Sequence, residues 1–197
     1  LCRLAFFSLT GPGGSLYSSR AQDRHRLVII IKVHGGLGNQ MFQGALAMAL
    51  AKHYKTEVLL DTTSFLDKPA HQGFELTKRF RFNALIASPK QVKELLGWKQ
   101  STLGCNIVSR KSCAFLRGKN FYKERQISFD KEVFSLLPSC YLDGNWQNEK
   151  YFSSVKSAVR NAYQFRSELA SANSATLALI RSKTAVSVHI RRGDYVS

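Results

Sequence analysis

Two arginines stand side by side in "SVHIRRGDY": Arg191 and Arg192, with His189 two residues before the first and Asp194 two residues after the second. On a strand, alternation puts Ser187, His189 and Arg191 on one face and Val186, Val188 and Ile190 on the other. A histidine and an arginine then project together at a strand's carboxyl end, where open α/β sheets bind ligands. A guanidinium is always charged, and its planar fork of donors matches phosphate oxygens in pairs. The chemistry indicated is therefore anion binding. Gly193 permits a sharp turn, and Asp194 can pair with Arg192 and shape the loop. A plain surface Arg–Asp pair is the bland alternative. The literal RGD at residues 192–194 is a three-residue match with nothing else to suggest an adhesive protein.

A second constellation lies near the start. Gly35, Gly36 and Gly38 separate the β-branched run "LVIIIKV" from "MFQGALAMALAKHY". Glycines there allow a tight turn and close approach of backbone N–H groups to a ligand, at the positive end of a helix. Gly36 and Gly38 could open a dinucleotide fingerprint, with Asp61 about where a ribose-binding acid belongs. Met41, however, occupies the place of the third small residue. Asn39 and Gln40 add side-chain amides that the fingerprint does not require. A nicotinamide oxidoreductase with an atypical loop and a turn without ligand both stay open on these residues.

These groups need a scaffold. Residues 27–33 read as a strand buried on both faces, 40–54 as a helix rich in small apolar residues, and 57–61 as a second buried strand. Strand, turn, helix and strand make a βαβ unit, which predicts an α/β fold with a parallel sheet. Ser88 reads as an N-cap, Pro89 as the first helical residue and Gly97 as the stop. Residues 98–128 mix strand-like pieces with basic and aromatic residues. "CYLDGNWQNEKYF" gives a strand, a turn at Asp143 and Gly144, and a helix start. Further helix is expected to about residue 165 and again over 167–182. Residues 185–190 are the last expected strand.

The totals set bounds. In 197 residues, 29 lysines and arginines face 13 acids, for a net charge of +16. Such an excess favours anionic partners: nucleic acid, an acidic membrane surface or a phosphorylated small molecule. A basic nucleic-acid-binding module is an alternative reading, because Arg110, Lys111, Arg117, Lys119, Lys123 and Arg125 interleave with Phe115, Phe121 and Tyr122. A solvated basic face beside an anionic membrane is preferred, and no nucleic-acid partner is expected. The four cysteines form no C-x-x-C pair and the five histidines no H-E-x-x-H. That argues against zinc and for reduced thiols in an intracellular protein. No apolar run reaches the ~18 residues of a membrane span. Residues 1–26 read as a non-globular leader or translated upstream sequence.

"GGLGNQMFQ", "LDGNWQNEKYF" and "VSVHIRRGDY" occur in this order in the α-1,2-fucosyltransferases, glycosyltransferase family 11. The chain resembles the bacterial branch of that family over residues 27–197. Asn145 and Gly44 stand where the family more often has aromatics. The resemblance implies two Rossmann-like domains of the GT-B type facing across a cleft. It implies transfer of L-fucose from GDP-fucose to the 2-hydroxyl of a galactose-terminated glycan, with inversion and without metal or other cofactor. It makes residues 27–184 the acceptor-side domain and 185–197 the start of the donor-binding domain. On this basis Arg191 binds the diphosphate and acts in catalysis, with His189 supporting it from the same face. Asn39, Gly36 and Gly38 line the cleft, while Arg192, Gly193 and Asp194 shape a loop. Trp146, Gln147 and Asp61 are expected to be structural. A cytoplasmic protein, peripheral at the inner membrane, is expected. So is weak or absent turnover by these 197 residues alone, read as a fragment.

Overall fold

The computed structural model describes residues 28–67, 72–136, 139–167 and 171–188. Strand β1 (Ile29–Lys32) leads through a glycine turn into helix α1 (Leu37–Tyr54), and β2 (Val58–Asp61) follows. Short helices α2 (Ser64–Asp67) and α3 (Leu76–Arg79) precede β3 (Leu85–Ile86) and helix α4 (Pro89–Leu96). A 3-10 turn (Gly97–Gln100), helix α5 (Thr102–Ser109) and a second 3-10 turn (Lys111–Arg117) lead to β4 (Phe121–Lys123). A third 3-10 turn (Lys131–Ser135) leads to β5 (Cys140–Asp143), and a fourth (Glu149–Val155) runs into α6 (Lys156–Ala162) and then α7 (Ser171–Arg181).

The five strands form one sheet in the order β3-β2-β1-β5-β4, and every pairing is parallel. This bears out the βαβ reading. Parallel strands are joined by crossovers, so both faces of the sheet are covered and strands read as continuous apolar runs. Period-two alternation sorts them. Ile29, Ile31, Leu60, Cys140, Leu142 and Tyr122 face the layer of α1 and α3. Ile30, Tyr141 and Phe121 face α4 and α5. Each fully buried isoleucine contributes about 1.5–3 kcal/mol relative to exposure. Ala45 and Ala49 on the far side of α1 let the fourth 3-10 turn and α6 approach through Val155 and Val159.

Local signals held closely for α4. Ser88 and Gln91 form a reciprocal capping box, Pro89 opens the helix, and Gly97 ends it at φ 57°. Helix α1 begins earlier than expected, at Leu37 rather than residue 40. The stretch 98–128 resolves into α5, two 3-10 turns and β4, whose short, broken pieces explain why no periodicity was readable. One expectation is corrected: residues 185–188 are not strand, and Val186 and Val188 are 85% and 78% exposed. Their alternating apolar pattern suits a strand, but pattern alone does not make one without a neighbour to pair with. His189, Arg191, Arg192, Gly193 and Asp194 lie outside the described residues, as do residues 1–26.

Candidate active site

The carboxyl ends of β1, β2 and β5 converge on the glycine turn. Of the three glycines, Gly35 carries the left-handed φ of 78°, and a side chain there would collide with Asn39. Gly36 is the N-cap of α1 in an extended conformation, φ −70°. Gly38 lies in the first helical turn with open space where a Cβ would be. The conformational demand for glycine therefore falls at Gly35, while Gly36 and Gly38 leave the helix end uncovered, as a ligand-facing wall requires.

Asn39 faces the other motif. Its Oδ1 accepts a hydrogen bond of 2.6 Å from Gln147 Nε2, joining "GGLGNQ" to "LDGNWQ" across 108 residues. Both side chains are accessible from this edge. Behind them, two amides that sequence reasoning left without a role tie the edge together. Gln40 is fully buried; its Nε2 donates to the carbonyls of Gly35 (3.1 Å) and Gly73 (2.9 Å), and its Oε1 accepts from Glu75 N–H (2.9 Å). Gln43, also fully buried, donates to Gly144 O (3.1 Å) and accepts from His34 N–H (3.2 Å). The signal in the sequence was the amides themselves, on an otherwise apolar helix: buried polar groups must be partnered. Replacing Gln43 with leucine is expected to cost about 1–3 kcal/mol for each of the two backbone groups left unpaired. A urea titration checks this.

The middle motif is held just as tightly. Glu124, at the end of β4, accepts from the N–H groups of Asn145 (2.7 Å) and Trp146 (3.1 Å). This fixes Trp146 at φ 59°, left-handed for a residue with a bulky side chain. The indole is fully buried, so Trp146 is core, as expected, whereas Gln147 is exposed at the edge. Asp61 is also structural. Its Oδ2 accepts from the Tyr141 hydroxyl at 2.6 Å, and its Oδ1 accepts from the Thr63 N–H and hydroxyl. With both oxygens engaged by the protein, Asp61 is poorly placed to bind a ribose. Gly44 is explained by crowding: a Cβ would meet Leu76 at 2.8 Å and the Tyr163 hydroxyl at 2.9 Å.

Charge concentrates at the tip of β5. Asp143, nearly buried, lies 3.5 Å from Lys32 Nζ and 3.9 Å from His34 Nε2. Burial pushes the His34 imidazole below its ordinary range, outweighing the attraction of Asp143, so the ring is neutral at pH 7. In the unfolded chain His34 titrates near pH ~6.5. Below that pH the unfolded state binds more protons than the native state, so stability rises with pH there. Stability from this group is thus present above the unfolded value and lost as pH falls toward the folded one. His34→Gln is expected to flatten the pH dependence of the urea midpoint between pH 5 and 7.

Two clefts adjoin this edge. One, of about 210 Å³, opens on the α4 side and is lined by Lys32, Asp61, Thr63, Lys99, Asn106 and Tyr141. The other, of about 260 Å³, is apolar and lies beside Gly38 between Met41, Phe42, Phe152 and Tyr163.

A five-stranded parallel sheet with helices on both faces and a glycine turn at its carboxyl edge is a Rossmann-like domain. The class of protein that carries this chain's motifs on such a domain is the glycosyltransferases. Residues 27–197 match Glycosyl transferase family 11, and the chain belongs to that family. It is 31% identical over 175 residues to an alpha-1,2-colitosyltransferase of Escherichia coli, a match that covers 86% of this chain and 56% of the relative. The chain thus spans little more than half the length of that relative. No solved structure matches it significantly.

Proposed function

We propose that the protein takes part in transfer of L-fucose from GDP-fucose to the 2-hydroxyl of a galactose-terminated glycan, with inversion. The observation that carries this reading is the Asn39–Gln147 contact, which brings two family motifs together on the sheet edge where α/β folds bind ligands. In this reading Asn39 and the helix end at Gly36–Gly38 face the sugar or its diphosphate. The acceptor oxygen bonds to the anomeric carbon as the bond to the diphosphate breaks, and GDP departs with the electron pair. Arg191, with His189 beside it, neutralises the charge that grows on this leaving group. The acceptor's proton passes to a base or to solvent. No metal or further cofactor is invoked.

Incubation of the protein with GDP-fucose and a β-galactoside tests this, with the product linkage read by NMR. Turnover by these residues is expected to be weak, with the fucose they transfer on the 2-hydroxyl. A different linkage, or stabilisation by NAD and not by GDP in thermal unfolding, would overturn the reading. A colitosyl donor offered in parallel distinguishes the sugar named for the Escherichia coli relative from fucose.

A further inference from the structure

The layer formed by the first 3-10 turn, α5 and the second 3-10 turn has an outer surface that the site does not use. Its inner side is firmly attached. Val108 of α5 is buried against the sheet with Val92, Leu96 and Phe121. Lys99 Nζ donates to Arg117 O (2.5 Å) and Asn120 Oδ1 (3.0 Å), and Arg117 Nε donates to Val108 O (2.8 Å). Two of the cations here therefore point inward and staple the layer.

The outer side combines two kinds of residue that seldom share an idle surface. Leu103 and Ile107, one helical turn apart on α5, are exposed, Leu103 at 77%. Phe115 at 80%, Trp98 and Leu116 add to them from the flanking turns. Large exposed apolar side chains gathered on elements that pack together mark interaction sites. Arg110, Lys111 and Lys119 are exposed beside these residues. From residue 95 to 123 the sequence contains no aspartate or glutamate. The patch is thus apolar, aromatic and of one sign.

We propose that this face docks on an anionic lipid surface, with Trp98, Leu103, Ile107, Phe115 and Leu116 entering the headgroup region and Arg110, Lys111 and Lys119 meeting lipid phosphates. Tryptophan, phenylalanine and leucine on one side with cations around them is the composition of interfacial binding. Lysine and arginine stems lie along the apolar surface and carry their charges to the headgroups. Nucleic acid would use the cations and could stack on Trp98 and Phe115, but it has no use for exposed Leu103, Ile107 and Leu116. A bilayer uses all of them. No described helix is long and apolar enough to cross a membrane. The inference is independent of which sugar is transferred.

Co-sedimentation of the 197-residue chain with vesicles tests it, comparing phosphatidylcholine alone with phosphatidylcholine plus phosphatidylglycerol at physiological salt. Binding is expected only with phosphatidylglycerol and should weaken as salt rises. Replacing Arg110, Lys111 and Lys119 together with glutamine should weaken binding about five-fold per cation, roughly a hundred-fold in all. Leu103→Ser with Phe115→Ser should weaken it at least about ten-fold. All five positions are exposed, and an unchanged urea midpoint establishes that each variant is folded. Equal binding to both vesicle types, or none, would overturn the proposal. So would retention on DNA insensitive to the serine pair, which assigns the face to nucleic acid. Self-association abolished by that pair would assign the face to a second copy of the chain.

Discussion

Trp146→Ala is expected to remove about 3–5 kcal/mol of folding stability, read as a lowered urea midpoint with an unchanged slope. The indole has no solvent exposure. It stacks on Tyr122 with ring centroids 6.3 Å apart and meets Tyr151 edge-on at 5.7 Å. Truncation removes this packing and leaves a cavity in a region pinned by Glu124, which limits collapse. A domain of this size is stable by only about 5–15 kcal/mol, so the loss is a large fraction of the whole. Trp146→Phe separates the causes. The indole N–H finds no hydrogen-bond partner among the described residues, so losing it costs nothing and only part of the ring volume is missing. Phenylalanine should therefore retain most of the stability. Equal losses for phenylalanine and alanine would show that the N–H, not the packing, is what holds the ring. An unchanged midpoint for alanine would remove Trp146 from the core.

The same residue links stability to the site. Gln147 follows Trp146 directly and reaches Asn39, so the ring and Glu124 together set where Gln147 can point. Gln40 and Gln43 act from the opposite side of the edge. Four side chains, Trp146, Glu124, Gln40 and Gln43, thereby place one asparagine and a helix end. This supports positioning by a rigid second layer rather than by the glycine turn alone.

Much of the scaffold was legible because single local rules dominate there. The run of isoleucines in β1 has one solution, a strand covered on both faces. Ser88, Pro89, Gln91 and Gly97 bracket α4 without tertiary help. The carboxyl edge was legible as a place, from the glycines and the βαβ pattern, but not as a network. Gln40 reaches Gly73 and Gln43 reaches Gly144, over 33 and 101 residues, and no local pattern encodes partners so distant. The left-handed Trp146 was hidden for the same reason, since its cause is Glu124, 22 residues away just beyond β4. Residues 98–128 resisted because the apolar residues there serve two masters. Val108 and Phe121 face the core, while Leu103, Phe115 and Leu116 face outward, so no single period survives.

Arg191→Ala is expected to lower kcat by about 100- to 1,000-fold while changing KM for the glycan acceptor little. The reasoning is chemical. In the ground state the diphosphate's charge is shared between its two phosphoryl groups. As the glycosidic bond breaks, further charge appears on the departing oxygen, and a fixed cation aimed there gains strength only in the transition state. One such donor is worth about 2.7–4 kcal/mol, which is the loss stated. Lysine should not restore the rate, because a point charge cannot grip two phosphate oxygens as a planar guanidinium does. Arg192→Ala provides the contrast. In the proposed reading Arg192 pairs with Asp194 and shapes the loop instead of meeting the diphosphate, so its loss should cost about ten-fold or less. Steady-state kinetics with GDP-fucose, beside direct GDP binding by calorimetry, read both variants. If Arg192→Ala proved the more damaging, the two arginines would exchange roles.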